Sequence, residues 1–305
     1  MFKTIKSVYR LALALPAVLI LFSTADAYVL HGSHLFELMA KGIGHAERLQ
    51  VEQTLVIHEI YAVDEEVAEQ DPEGEAAEEI DSVVETFELS ETLMFVFPDQ
   101  FRSEIKSQHV ERIHAVSRGS SVTIIDRKRV GDYETDFDRY KDIFLYNSRS
   151  LLENRLPQLG VDPAITSLGR FNGRIGYVLG AQYPDESVPQ LWLDRETFRP
   201  FRWVVRPAPI ENPADGLEVR YYGWRQVGDI WYPVRIEFYQ DESLVRTIRV
   251  QKFKLDPNFS PDLFDIQQLR SRYPAGRQAP THKPESTEGQ GEVQETLERF
   301  HKIFE

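Results

Sequence analysis

Two periodicities divide the chain. From His34 to Leu49, Leu35, Leu38, Met39, Ile43 and Ala46 recur at helical spacing, which predicts one amphipathic helix weakened near Gly42 and Gly44. Between Leu49 and Tyr61 the period drops to two: Leu49, Val51, Leu55 and Ile57 alternate with Gln50, Glu52, Thr54 and His58, as in a half-buried strand. Strand patterns follow at 83–97, 101–107, 111–117 and 122–126, and again at 175–179, 190–194, 201–206, 217–227, 230–239 and 244–255. The clearest is IWYPVRIEFY. There Ile230, Tyr232, Val234, Ile236 and Phe238 share one face, and Gly228-Asp229 makes a short hairpin turn before it. Pro233 within it cannot donate a ladder hydrogen bond, so it marks an edge or a bulge. The run is broken once, between Phe137 and Leu159, where Tyr140, Ile143, Phe144, Leu151, Leu152 and Leu156 predict one or two short helices.

About ten to eleven strands with short connections, and helices in only two places, exclude a βαβ arrangement. The expected class is mainly β with an α lid (α+β): an incomplete, strongly curved antiparallel β-barrel whose concave face is covered by those helices. That domain is expected over residues 28–272, with residues 273–305 as a flexible tail. The tail ends in VQETLERFHKIF, where Val293, Leu297, Phe300 and Phe304 line one side of a short amphipathic helix.

Composition narrows the function. Of 305 residues, 49 are acidic and 35 basic, a net charge of -14 that disfavours a nucleic-acid partner. Eleven of those acids fall between Asp64 and Glu85, with no lysine or arginine among them, which predicts a solvated acidic loop inserted between two strands. The chain has no cysteine, so disulfides, thiolate metal sites and thiol nucleophiles are excluded together. Residues 1–27 place Lys3, Lys6 and Arg10 ahead of an apolar run from Leu11 to Phe22 and close on Ala25-Asp26-Ala27, the layout of a secretory signal cleaved after Ala27. A periplasmic, soluble protein is the expectation, because no cysteine follows the signal to carry a lipid anchor.

The usual catalytic signatures are missing: no GxSxG elbow, HExxH helix, phosphate-binding loop or dinucleotide fingerprint occurs. Arg118-Gly119-Ser120-Ser121 reads as a turn. His31 and His34 are the one histidine pair with close spacing, and their place near the start of the exported chain makes exposed histidine the better reading than a metal site. No enzyme activity, cofactor or metal is expected.

Four segments resemble one family in order. Leu93 to Ile105 (LMFVFPDQFRSEI), Gln190 to Arg202 (QLWLDRETFRPFR), the hairpin from Tyr221 to Tyr239, and Asn258 to Phe264 resemble the strand and turn motifs of the LolA-like outer-membrane lipoprotein carriers and lipoprotein-sorting proteins. The resemblance covers roughly residues 33 to 266. It implies an apolar cavity that shelters the acyl chains of lipoproteins or lipids in transit, with an inner-membrane donor and an outer-membrane acceptor as partners. The lining residues it implies are Ile175, Tyr177, Leu191, Leu193, Phe201, Trp203, Ile230, Val234, Ile236 and Phe238, under a lid carrying Ile143, Phe144, Leu151 and Leu152. In those carriers an arginine that governs the lid precedes the proline of the first motif; Phe97 stands there, and Arg102 is not its replacement. The alternative function is an envelope interaction or sensor protein of the same fold that regulates a membrane partner.

Overall fold

The computed structural model describes residues 29–62, 82–108, 110–132, 134–205 and 216–275. The signal-like segment, most of the acidic loop and the C-terminal amphipathic pattern lie outside the described residues.

The predicted first helix forms as α1 (Gly32–Ile43) and buries Leu35, Phe36, Met39 and Ile43. It stops earlier than the pattern suggests because Gly44 takes φ 85° while the chain presses against the turn before the twelfth strand. His45 N–H donates to Asp229 O at 2.9 Å, and a Cβ on Gly44 would lie 1.9 Å from that same oxygen. Only glycine fits both the dihedral and the approach.

Thirteen strands then form one antiparallel sheet, ordered β6-β5-β4-β3-β2-β1-β13-β12-β11-β10-β9-β8-β7. Six lie in the first half of the chain: β1 (Arg48–Ala62), β2 (Ser82–Val96), β3 (Gln100–Lys106), β4 (Glu111–Ser117), β5 (Ser120–Ile125) and β6 (Lys128–Gly131). Seven follow the helical segment: β7 (Thr166–Phe171), β8 (Arg174–Leu179), β9 (Gln190–Asp194), β10 (Pro200–Val205), β11 (Leu217–Val227), β12 (Ile230–Gln240) and β13 (Ser243–Leu255). Each half is a meander of hairpins, and the two meet where β1 pairs with β13. The sheet stays open, so β6 and β7 are its two edges. The acidic stretch expected as loop, Asp64 to Glu85, overlaps the strand pattern that starts at Val83; in the overlap the strand prevails, and Ser82 to Glu85 pair with the far end of β1.

The chain passes from one edge to the other through a 3-10 turn (Asp136–Lys141), α2 (Asp142–Leu145) and α3 (Arg149–Gln158). This helical strap covers the concave, inner face. Ser148 caps α3, its Oγ accepting from Leu151 N–H at 3.4 Å. On the opposite, outer face α4 (Ile266–Arg272) covers Ile113, Ala115, Val122 and Ile124 of β4 and β5. Beyond α4, Pro274 O accepts from Arg129 N–H at 3.0 Å, so this segment borders the β6 edge. Pro233 sits within a middle strand opposite Trp224 of β11, yet β12 pairs with β13 only from Arg235 onward, so the proline is unpaired on its β13 side.

Candidate functional site

The inner face differs along the sheet. On β9 to β12 it is apolar: Leu191, Leu193, Trp203, Val219, Tyr221, Ile230, Tyr232, Ile236 and Phe238 are all fully buried. Strand alternation puts them on one side, and the register confirms it, with Leu191 opposite Trp203, Trp203 opposite Val219, and Tyr221 opposite Ile236. The strap supplies the other wall. Phe144 of α2 lies 4.7 Å from Tyr232, 5.8 Å from Trp224 and 5.9 Å from Tyr221 between ring centroids. Tyr140 stands edge-on to Phe238 at 5.6 Å, and Phe137 tilts on it at 5.8 Å. Ile143, Phe144 and Leu152 are buried, and Leu151 is half-buried.

The structure therefore brings Leu191, Leu193, Trp203, Ile230, Val234, Ile236 and Phe238 onto one face, with the strap's rings against Phe238, Tyr221 and Tyr232 and the end of α1 beside Ile230. Three of the candidate lining residues are not part of that buried wall: Tyr177 and Ile175 keep the parity of its face but lie toward its rim, Tyr177 directly opposite Leu193, and Phe201 leaves the face altogether. Tyr177 is half-buried and stacks on Phe198 at 5.8 Å. Ile175 is 37% exposed, because it stands beside the Asn172-Gly173 hairpin at the rim of the sheet. Phe201 faces outward: a register shift between Pro200 and Arg202 turns it into the outer cluster of Val178, Ala181 and Trp192. A single bulge residue inverts the face that alternation assigns.

On β2 to β5 the inner face carries charge instead. Arg112 donates through Nη2 to both Asp138 carboxylate oxygens, at 2.8 and 2.7 Å. Lys141, fully buried, contacts the Glu134 carboxylate, donates to Asp138 O at 2.9 Å and to Asp142 Oδ1 at 3.1 Å. Arg155 of α3 closes the set, its Nη2 lying 2.7 Å from Glu134 and its Nε 2.7 Å from Asp142. His114 bonds Thr123 at 2.9 Å and faces Glu134 at 3.6 Å. Alongside, Glu91 accepts from Gln53 at 2.6 Å and from Ser103 Oγ at 2.5 Å.

Burial by itself would raise the Glu134 and Asp138 carboxyls; Lys141 and Arg112, respectively, hold them well below the usual carboxylate range. Burial likewise opposes charge on Lys141, but Asp142 and Glu134 keep it protonated far above neutrality. Asp142 is pushed up, by burial and by its neighbour Glu134, against the pull of Lys141. Arg112–Asp138 joins the strap to β4, and Lys141 and Arg155 brace the strap internally on Glu134 and Asp142, whereas its contacts with β11 and β12 are mainly packed rings. The sequence does not mark this set, since Asp138, Lys141, Asp142 and Arg155 look there like ordinary surface charges of short helices and Glu134 like a loop charge.

Phe97 stacks on Phe95 at 5.5 Å, and Arg102 turns outward to Glu104 and to Leu263 O, at 2.7 and 2.9 Å. Neither touches the strap in the way the resemblance implies for an arginine before Pro98. A pocket of about 420 Å³ lies on the outer face, among Phe171, Glu186, Arg202, Glu218, Arg220 and Tyr239. Glu186 and Glu218 bind the Arg202 guanidinium at 2.6 to 2.9 Å, so the pocket floor is an ion-pair lattice rather than an apolar cavity. Among the described residues no group of three or more histidine, aspartate or glutamate side chains could hold a metal, and no helix is long and apolar enough to cross a membrane. His31 instead caps α1, accepting from Ser33 N–H at 3.4 Å.

No family model and no curated protein matches the sequence. Among solved structures the chain is similar to a LolA superfamily protein from Nitrosomonas europaea, with TM-score 0.50 and 12% identity over 78% of this chain and 99% of that one. An outer membrane lipoprotein-sorting protein domain from Vibrio parahaemolyticus gives TM-score 0.46 and 11% identity over 75% and 94%. A DUF1329 family protein from Desulfovibrio piger gives TM-score 0.46 and 11% identity over 78% and 98%. An open, curved antiparallel sheet with a helical strap across its concave face is a LolA-like fold.

Proposed function

We propose that this protein is a periplasmic carrier that shelters the acyl chains of lipoproteins or lipids between the strap and the inner wall of β9 to β12. Residues 1–27 export it, and it works without cofactor or chemistry of its own, between an inner-membrane donor and an outer-membrane acceptor. One observation carries the reading: the strap, braced internally by Lys141 and Arg155 on Glu134 and Asp142, is tied to β4 by the buried Arg112–Asp138 ion pair and meets β11 and β12 mainly by apolar packing. An acyl chain replaces apolar packing in kind but cannot replace an ion pair. The strap thus swings from the β11–β12 side, and the uncovered wall is the lining that receives the chain.

Purifying the full-length chain after export and extracting bound lipid tests this. Recovery of acylated lipid near one per protein, together with uptake of a fluorescent fatty acid by delipidated protein, is expected. Absence of both would refute the carrier reading. Val234 is the informative lining position because it is only half-buried. Val234→Asp should reduce uptake while leaving the fold intact, whereas acids at the fully buried Ile236 or Phe238 would damage the core itself.

A further inference from the structure

The apolar wall contains hydrogen-bond donors that find no acceptor. Tyr232 is fully buried, yet its hydroxyl has no partner among the described residues. The neighbouring Trp224 Nε1–H is buried and unpartnered as well. Both belong to the same spot. Tyr232 pairs with Arg225, the residue after Trp224, and both aromatic rings pack on Phe144 of the strap. Gly223, at φ 64°, lets Trp224 lie against the strap, and a Cβ there would come within 2.4 Å of Val234 Cγ2. By contrast, Tyr221, close by on β11, donates to Tyr140 O at 3.3 Å. Buried donors are almost always paired, because leaving one unpaired costs the desolvation of that group. Two unpaired donors behind one removable ring therefore point to an acceptor that arrives when the ring leaves.

Resting on the carrier reading, we infer that this site takes acyl chains by their carbonyl: the ester or amide C=O that joins the chain to its headgroup or polypeptide accepts from Tyr232 O–H and Trp224 Nε1–H once Phe144 withdraws. The hydrocarbon then runs along the wall toward Trp203, which stands level with Val219, five residues and ~17 Å along β11 from Trp224. Trp203 Nε1–H is also unpartnered, but at that distance it cannot share the same carbonyl. The ligand class is thus an O-acyl or N-acyl chain, and a hydrocarbon lacking the carbonyl is discriminated against.

Competition binding with full-length protein tests it, using monopalmitin and its ether counterpart hexadecylglycerol, which differ only in the carbonyl. The wild type should bind the ester about tenfold more tightly, as expected for an acceptor meeting buried donors. In the double variant Tyr232→Phe, Trp224→Phe the rings remain, so the ether should bind within about twofold of wild type and the ester preference should vanish. Equal binding of ester and ether by wild type overturns the carbonyl inference and leaves the carrier reading standing. Failure of wild type to bind either overturns both. A palmitoylated lipopeptide and a diacyl phospholipid, run in parallel, distinguish the source: the one whose binding depends on Tyr232 and Trp224 is the cargo. A second readout is independent of ligand. Tyr232→Phe alone should leave the unfolding midpoint of the delipidated protein equal or raised, since the hydroxyl has no bond to lose; a lowered midpoint overturns the inference.

Discussion

Lys141→Met removes the centre of the charge set beneath the strap. The ammonium contacts Glu134, Asp138 O and Asp142 and is fully buried, while Arg155, the cation left to Glu134 and Asp142, is 21% exposed. Removing one partner of a buried pair leaves the others uncompensated and costs about 3–5 kcal/mol. Coulomb attraction at about 3 Å with an effective dielectric of 20 is ~5.5 kcal/mol per pair, so the range is consistent with the loss of one strong pair after relaxation. Methionine keeps the volume and removes the charge, so cavity formation does not enter. With a urea m-value of about 3 kcal/mol/M the midpoint should fall by about 1–1.7 M. Trp203 and Trp224 on the inner wall and Trp192 on the outer face report unfolding by fluorescence. The double variant Lys141→Met, Glu134→Gln removes the stranded carboxylate and should recover about half of the loss. A single variant within 1 kcal/mol of wild type, or a double variant worse than the single, would show that the strap is not held by this set.

Acid should loosen the same region. Glu134 and Asp138 have depressed folded values, so their contribution is complete above the unfolded values near 4 and is lost as pH falls through the folded ones; Asp142, raised, works in the opposite sense. Urea midpoints should therefore drop between about pH 4 and pH 2, and Asp138→Asn should flatten that slope. Because the chain has no cysteine, paired cysteines at Phe144 and Tyr221 joined by a short bifunctional maleimide should block fatty-acid uptake, while the same link between Ser121 and Arg270, across the contact of β5 with α4 and away from the wall, should not. Uptake through a strap linked to β11 would refute opening from that side. Gly44→Ala should cost more than about 2 kcal/mol by thermal unfolding, since it forces a side chain into φ 85° against Asp229 O.

Sheet architecture was legible because strand alternation and hairpin turns are local: Ile230 to Phe238 alternate in the sequence and face one way in the structure. β6 and β7 were missed for the same reason, being short edge strands with little apolar patterning, and their pairing is set by neighbours rather than by their own residues. Candidate lining residues were legible wherever alternation held. Phe201 departs at a bulge, which the periodicity does not mark. The ion pairs under the strap were invisible because they join β4 to residues far along the chain: Arg112 to Asp138 and His114 to Glu134 are tertiary facts. A charge on a short helix carries no sign of which face will be buried.

A fully packed inner wall is compatible with carriage, and the magnitudes say how. Withdrawing the strap exposes Tyr140, Ile143, Phe144 and Leu145, all buried, at about 1.5–3 kcal/mol each, or roughly 6–12 kcal/mol together. An acyl chain of about fourteen methylenes gains ~0.8 kcal/mol for each one sheltered, or ~11 kcal/mol. The exchange is therefore close to balanced. A permanently open cavity would keep the whole of the chain's transfer free energy as affinity and would release its cargo too slowly to serve an acceptor. Here the strap competes with the chain for the same wall, which lowers affinity by the strap's own burial and returns that free energy on release. The Arg112–Asp138 pair to β4 makes the competition repeatable: with the strap braced by its own ion pairs, it holds the strap beside the wall while its rings are displaced, so reclosure is an intramolecular step. On these grounds the charge set beneath the strap and the apolar wall opposite it are parts of one device, and weakening the first should raise the affinity of the second.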